Sequence, residues 1–173
     1  KLSWSANGNP SQTEYYCIVF PSGATGPSPS ELFLPVGNSL EAIGGETAWG
    51  NPLVTQTLMN SVKAAGFKTV RIPVSWKQYA DANDNISATW MARVTEVVNY
   101  ARNAGLYAVI NVHWDGGWMQ PTYAQQATVN TRITKFWTQI ANNFKNNNEH
   151  LLFAGTNEVL VDGNYGTPTV EYY

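Results

Sequence analysis

The stretch "FKTVRIPVSW" (residues 67–76) is largely apolar and β-branched around a single arginine, Arg71. This composition is typical of a short strand buried on both faces, as in a parallel sheet. Before it, Asn51 suits an N-cap and Pro52 the first helical position, so we expect a helix from there to about Gly66. The apolar face of this helix comprises Val54, Leu58 and Val62. The stretch therefore predicts a helix followed by a short central strand.

The helix–strand pattern recurs twice, in cycles of about forty residues. A second helix ends at Gly105, a suitable left-handed cap, and leads into the strand of "LYAVINVHWDGGW" (residues 106–118). A third helix leads into "HLLFAGTNEV" (residues 150–159), which opens as a buried strand. The apolar helix faces comprise Trp90, Val94, Val97 and Ala101, then Val129, Ile133, Phe136, Ile140 and Phe144. This alternation predicts a parallel α/β sheet with right-handed crossovers, and both a barrel and an open sheet fit it.

The N-terminal part of the chain differs from the rest. "PSGATGPSPSE" (residues 21–31) is dense in Pro, Gly and Ser, which do not sustain a regular element. We therefore expect an arm or linker over residues 1–32 and the α/β domain over residues 33–173.

Composition excludes several classes of function. Charged residues make up 13% of the chain and the net charge is −2, which disfavours binding to nucleic acid or to an anionic membrane. The apolar runs are too short to span a bilayer. One cysteine and two histidines predict no disulfide framework and no multi-histidine metal site. No glycine-rich phosphate loop follows a strand, so we expect neither a nucleotide, nor a metal, nor another cofactor.

Polar residues lie at or near the carboxyl ends of successive predicted strands, where functional groups gather in parallel α/β folds. They are Arg71, His113, Asn157 and Glu158. A buried Glu158 would suit a general acid, and Asn157 could donate to and accept from a sugar hydroxyl. The alternatives are a solvent-facing loop acid, a turn-forming Asn, a structural core His and an Arg71 ion pair. The alignment of these residues at one sheet edge favours function.

Aromatic residues are abundant, with seven Trp and nine Tyr. Four tryptophans follow predicted strands, where they could stack on pyranose rings: Trp49, Trp76, Trp114 and Trp118. Each could equally pack in the core, and we expect Trp90 and Trp137, on helices, to do so. Together the four favour a sugar-binding cleft.

At these residues the chain resembles glycoside hydrolase family 5, in its endoglucanase and xyloglucanase branch. "GNSLEAIGGETAWGNP" (residues 37–52) resembles the end of the family's first strand, and "AGFKTVRIPVSW" (residues 65–76) its second. "GLYAVINVHWDGGW" (residues 105–118) and "HLLFAGTNEV" resemble the third and fourth. The resemblance implies a (β/α)8 barrel, of which this chain carries about the first four β/α units, and a secreted enzyme without cofactors.

The resemblance also implies roles for individual residues. Retaining hydrolysis of β-1,4-glucan would use Glu158 as acid/base, with Asn157, His113 and Arg71 around the cleaved sugar. Asn38 would be a further cleft residue, beside Trp49, Trp114 and Trp118. A retaining enzyme needs a second carboxylate about 5 to 5.5 Å away. In the family it is a Glu on the seventh strand, and neither Asp162 nor Glu171 is marked as its replacement.

The chain departs from the family pattern in three further places. "FLPV" (residues 33–36) replaces the usual lead into the first strand, Trp114 stands where a second His is common, and Val159 follows the glutamate in place of Pro. Half a barrel would expose strand edges and apolar interior, so we expect pairing with a second copy or a complementary half-barrel, or a compact open α/β form. Alternatives to the glucanase are a non-catalytic β-glucan-binding half-barrel, a related mannanase or xylanase, and an unrelated doubly wound sheet.

Overall fold

A computed structural model of the protein describes residues 39–159. In this part of the chain three helices alternate with three strands: α1 (Gln56–Ala64), β1 (Thr69–Ile72), α2 (Ala88–Asn103), β2 (Tyr107–Asn111), α3 (Gln126–Phe144) and β3 (Leu151–Ala154). Single 3₁₀ turns, Lys77–Tyr79 and Asp115–Gly117, follow β1 and β2. The strands form one parallel sheet in the order β1–β2–β3, with Arg71 opposite Val109 and Val109 opposite Leu152. The predicted helix–strand alternation and parallel pairing are confirmed.

Helix α1 begins later than the sequence suggests. Thr55, not Asn51, is its N-cap, and the Thr55 side chain accepts a hydrogen bond from the Leu58 N–H at 3.2 Å. The preceding loop is held by Glu46, whose carboxylate accepts from the Val54 N–H and from the Arg93 guanidinium of α2. This half-buried ion pair keeps Val54 outside the helix, although the Val54 side chain is buried as predicted.

Helices α2 and α3 bury the faces that their periodicity predicts. Ser87 caps α2 through the Trp90 N–H, and Gly105 follows the helix in the left-handed conformation, with a φ of 73°. The buried apolar residues are Trp90, Val94, Val97 and Ala101 on α2, and Val129, Phe136, Ile140 and Phe144 on α3. Ile133 packs partly buried against the same core. Local periodicity was therefore sufficient to identify these two helix faces.

Strand β3 is less buried than a central strand. Leu152 and Phe153 are 46% and 48% exposed, which corrects the expectation of a buried strand at this place. In the described residues β3 pairs on one side only, with β2, so it forms an edge of the sheet. The segment that leads into the family's first strand (residues 33–36), the N-terminal arm and the segment after Val159 lie outside the described residues. The predicted domain limits and the first of the four β/α units therefore stay predictions.

Two other expectations bear on the described residues. No helix within residues 39–159 has both the length and the apolar character needed to cross a bilayer. The same residues contain no cluster of three or more histidine, cysteine or acidic side chains suited to a metal ion.

Candidate active site

The polar residues predicted at the strand ends meet above the sheet. Arg71 lies on β1, His113 follows β2, and Asn157 and Glu158 follow β3. The Arg71 Nη2 donates to the Asn157 Oδ1 at 2.5 Å and lies 3.5 Å from the His113 Nδ1. Parallel strands bring their carboxyl ends to the same edge, so residues far apart in sequence form one cluster. Arg71 thus has polar partners, an amide and an imidazole.

The imidazole of His113 is the buried centre of this cluster, with 2% of the residue exposed. Its Nδ1 lies 3.1 Å from the Asn111 Nδ2, and its Nε2 contacts the Glu41 carboxylate. Glu41 is 5% exposed, and sequence reasoning missed it as a functional residue. The available signal was a carboxylate inside the apolar stretch "SLEAI", which must be paired when it is buried.

Glu158 is exposed, which corrects the expectation of a buried acid, and it has a left-handed backbone conformation, with a φ of 50°. Such a conformation is uncommon for a residue with a side chain, and it is found most often where a function requires it. The neighbouring Asn157, half-buried, is fixed by Arg71. The left-handed residue Glu158 therefore directly follows Asn157, a member of the Arg71–His113–Asn157 cluster.

A second buried acid, Asp115, joins the loops that follow β1 and β2, and sequence reasoning did not identify it. Its carboxylate accepts hydrogen bonds from the backbone N–H groups of Trp76 and Lys77 and from the Trp118 Nε1, at 2.8 to 3.0 Å. Burial raises the pKa of the Asp115 carboxyl from 3.8 to about 6, in spite of these hydrogen bonds. Asp115 thus holds the loops after β1 and β2 together.

The titration of Asp115 predicts a pH-dependent stability. Between about pH 4 and pH 6 the native state holds a proton that the unfolded chain has released, so the free energy of unfolding falls as the pH rises through this window. The variant Asp115→Asn has no titrating group at this position. The free energy of unfolding of the wild type, minus that of the variant, should fall by about 2 to 3 kcal/mol between pH 4 and pH 6. Urea unfolding of both proteins from pH 3.5 to pH 7 measures this difference. A difference that is constant or rises with pH contradicts the prediction.

The predicted tryptophan platforms occupy different environments. Trp49 is 51% exposed, and Trp114 is half-buried against the Gly117 backbone. Trp118 is also half-buried, with its ring edge-on to Phe136 and under the Arg132 guanidinium. Trp76 is fully buried and donates its Nε1–H to the Asn111 carbonyl at 2.9 Å, so of the two roles left open for it, sugar platform or core, it has the core role.

The remaining predictions concern two tryptophans on helices and three polar residues. Trp90 is buried and stacks on Tyr79, with ring centroids 3.7 Å apart, as expected for a core residue. Trp137 lies partly buried against the core. Asn38, Asp162 and Glu171 lie outside the described residues.

Comparison with known proteins identifies the family. The sequence model of the cellulase family (glycosyl hydrolase family 5) matches residues 35–172. Endoglucanase B of Clostridium cellulovorans is 49% identical over 125 residues, covering 71% of this chain and 28% of its own length. Endoglucanase A of Paenibacillus barcinonensis is 45% identical over 150 residues, covering 80% of this chain and 37% of its own length.

Solved structures agree with this result. A Bacteroides ovatus xyloglucanase of the family, in complex with a XXXG heptasaccharide, superposes with a TM-score of 0.75 and 43% identity, over 79% of this chain and 32% of that one. A broad-specificity endoglucanase from Clostridium longisporum gives a TM-score of 0.70 and 38% identity, over 74% and 40% of the two chains. The parallel strands are thus part of a (β/α)8 barrel, and the doubly wound alternative was wrong. The chain spans about a third of the length of these relatives.

Proposed function

Because this chain belongs to glycosyl hydrolase family 5, we propose that it carries the acid/base part of the active site of a retaining endo-β-1,4-glucanase. The observation that carries the proposal is the cluster of Arg71, His113 and Asn157 beside Glu158 at the carboxyl ends of three parallel strands. A barrel enzyme places its reacting groups at this edge. Because the chain covers about a third of its relatives, the activity of the whole protein is part of the proposal.

The exposed carboxyl group of Glu158 would protonate the oxygen of the departing sugar and later activate a water molecule. Its exposure allows a polymer to reach it. In family 5 the group that attacks the anomeric carbon comes from the seventh strand, which the matched region does not include. Glu41 does not take that role here, because it is buried and its carboxylate faces His113.

Asn157 has an amide orientation suited to a sugar hydroxyl. A guanidinium can only donate, so the contact with Arg71 identifies the atom facing it as the amide oxygen, Oδ1. The Nδ2 group then faces away from Arg71, and its contact with the His113 Nε2 is long, at 3.5 Å. Asn157 is therefore positioned to donate to a hydroxyl oxygen of the sugar next to the cleaved bond.

The proposed substrate is a β-1,4-glucan, with xyloglucan as one form. A Bacteroides ovatus enzyme similar to this chain is named as xyloglucan-specific, and the solved structure of a Bacteroides ovatus xyloglucanase holds a XXXG heptasaccharide. The exposed ring of Trp49 and the half-buried ring of Trp114 offer apolar faces on which pyranose rings could stack. We also propose that the protein is secreted, and that the exposed edge at β3 is covered by a second copy or by a complementary half-barrel.

A substrate panel tests the activity and separates it from binding alone. We expect release of reducing ends from barley β-glucan and xyloglucan, and little from mannan or xylan. Affinity electrophoresis in gels that contain the same polysaccharides measures binding independently of cleavage. Retardation by β-glucan without any release would support the non-catalytic binding alternative, and preferential cleavage of mannan or xylan would support that branch of the family.

A further inference from the structure

We infer that Glu41 is a positioning residue of this site: it holds His113 as the tautomer protonated on Nε2, and through His113 it orients Arg71 and Asn157 beside Glu158. The inference rests on the proposed function for its catalytic meaning, but the arrangement of protons is deduced from the hydrogen bonds alone. Glu41 does not touch the expected substrate position, since its carboxylate is buried against His113.

The state of His113 Nδ1 follows from its two neighbours. The Asn111 Oδ1 accepts a hydrogen bond from the Val74 N–H at 3.1 Å, and a backbone N–H can only donate. The Asn111 atom that faces the His113 Nδ1, at 3.1 Å, is therefore the amide nitrogen Nδ2. The Arg71 Nη2, 3.5 Å from the same ring nitrogen, is also a donor. Two donors thus face Nδ1, one of them at 3.1 Å. Nε2 faces one more distant donor, the Asn157 Nδ2 at 3.5 Å, but it also contacts the Glu41 carboxylate, so Nδ1 is the unprotonated acceptor.

The proton of the neutral ring then lies on Nε2, which contacts the Glu41 carboxylate. A carboxylate accepts this proton in a charge-assisted hydrogen bond, and a bond at one ring nitrogen sets the protonation of the other. Without an acceptor at Glu41, a buried Nε2–H would be left unpaired at a cost of about 1 to 3 kcal/mol. Reorientation of the ring would relieve that cost and release Arg71.

The backbone around Glu41 is held rigidly enough for this role. The Ser75 N–H donates to the Leu40 carbonyl at 3.0 Å, and the Ser75 hydroxyl donates to the Glu41 carbonyl at 2.7 Å. The Gln78 amide donates to the Ala42 carbonyl at 2.8 Å. These contacts bind the segment to the loop after β1, so the Glu41 side chain enters the site from a fixed position.

Nuclear magnetic resonance of the imidazole rings tests the inference directly. The chain has two histidines, so long-range proton–nitrogen spectra of the labelled chain contain two ring systems, and His150→Gln assigns them. We expect His113 to show an unprotonated Nδ1 and a strongly deshielded, slowly exchanging N–H on Nε2. A proton found on Nδ1 would overturn the inference in the wild type, before any variant is made.

The variants Glu41→Gln and Glu41→Leu test the role of the carboxylate. Glutamine retains an acceptor oxygen, so the Nε2–H signal should persist but move upfield, whereas leucine should abolish it. The control is Glu46→Gln, a carboxylate on the same loop that pairs with Arg93, and it should leave the signal unchanged. An identical His113 signal in the wild type and in Glu41→Gln would contradict the inference even if Glu41→Leu does not fold.

A kinetic measurement relates the tautomer to catalysis. With β-glucan as the substrate, Glu41→Leu should lower kcat by about tenfold to hundredfold with little change in KM. The reason is that a small displacement of the groups around the reacting sugar slows the chemical step. Glu41→Gln should recover most of the loss. Unchanged kcat in Glu41→Leu would overturn the positioning role. If wild-type His113 shows the expected tautomer but no hydrolysis occurs even when the rest of the barrel is present, the proposed function is contradicted and the deduced proton arrangement stands.

Discussion

Replacing Glu158 with Gln is expected to lower the rate of β-glucan hydrolysis by about 10² to 10⁴-fold, the usual contribution of a general acid–base group. The amide has nearly the shape of the carboxyl group but cannot transfer a proton to the departing sugar oxygen. Glu158 is exposed and lies after β3, so the substitution removes no core contact and the fold should persist. Reducing-end release from barley β-glucan measures the effect.

An aryl β-cellobioside with a nitrophenolate leaving group makes this test specific. Nitrophenolate departs without being protonated, so the bond-breaking step should be much less impaired in Glu158→Gln on this substrate than on β-glucan. Glu149→Gln is the matched control, because its side chain is 77% exposed just before β3 and faces His150 rather than the cluster. Equal losses of kcat/KM on the two substrates would show that Glu158 is not the proton donor, because kcat/KM reports the bond-breaking step and not the later attack of water.

Replacing Trp76 with Ala is expected to lower the free energy of unfolding by about 3 to 5 kcal/mol, the range for a buried aromatic residue. The ring is fully buried, and its Nε1–H bond to the Asn111 carbonyl would also be lost. Urea unfolding measures the change. Trp76→Phe keeps most of the ring but not the N–H, so it should cost about 1 to 3 kcal/mol and remain measurable if the alanine variant does not fold.

Trp49→Ala is the control for this pair, because the Trp49 ring is 51% exposed. The substitution should change the free energy of unfolding by no more than about 0.5 kcal/mol. The affinity of the variant for β-glucan, measured by electrophoresis, should fall. A large loss of stability in Trp49→Ala, or a loss of glucan binding in a fully folded Trp76→Phe, would contradict the assignment of Trp49 to the cleft and Trp76 to the core.

Much of the site could be predicted because its members lie at regular places in a repeated unit. Arg71, His113, Asn157 and Glu158 each stand at or just after the end of a strand, and parallel strands bring these ends together. The first three are in contact, as this reasoning requires. Their roles toward a sugar stay predictions, as do the roles of Trp49, Trp114 and Trp118.

The acidic residues of the site's interior could not be predicted in the same way. Glu41 and Asp115 stand in loops. The apolar stretch around Glu41 hints at burial but does not identify its partner, and no local pattern distinguishes Asp115 from a solvent-facing acid. Asp115 accepts from the Trp76 N–H across a separation of 39 residues, and Glu41 meets the His113 ring that follows another strand. Whether a loop acid is buried depends on which loop packs over it, and that information is not contained in its neighbours along the chain.

Local patterns in the chain were thus sufficient for the helix faces of α2 and α3, the parallel direction of the strands and the polar edge, because periodicity and strand polarity act over a few residues. Contacts between distant segments were needed for the start of α1, which depends on the Glu46–Arg93 pair, and for the burial of Trp76. The exposure of Leu152 and Phe153 likewise depends on whether another strand pairs with β3. Burial is a property of the assembled sheet and its loops, so the same residue type becomes core, cleft or edge according to what packs against it.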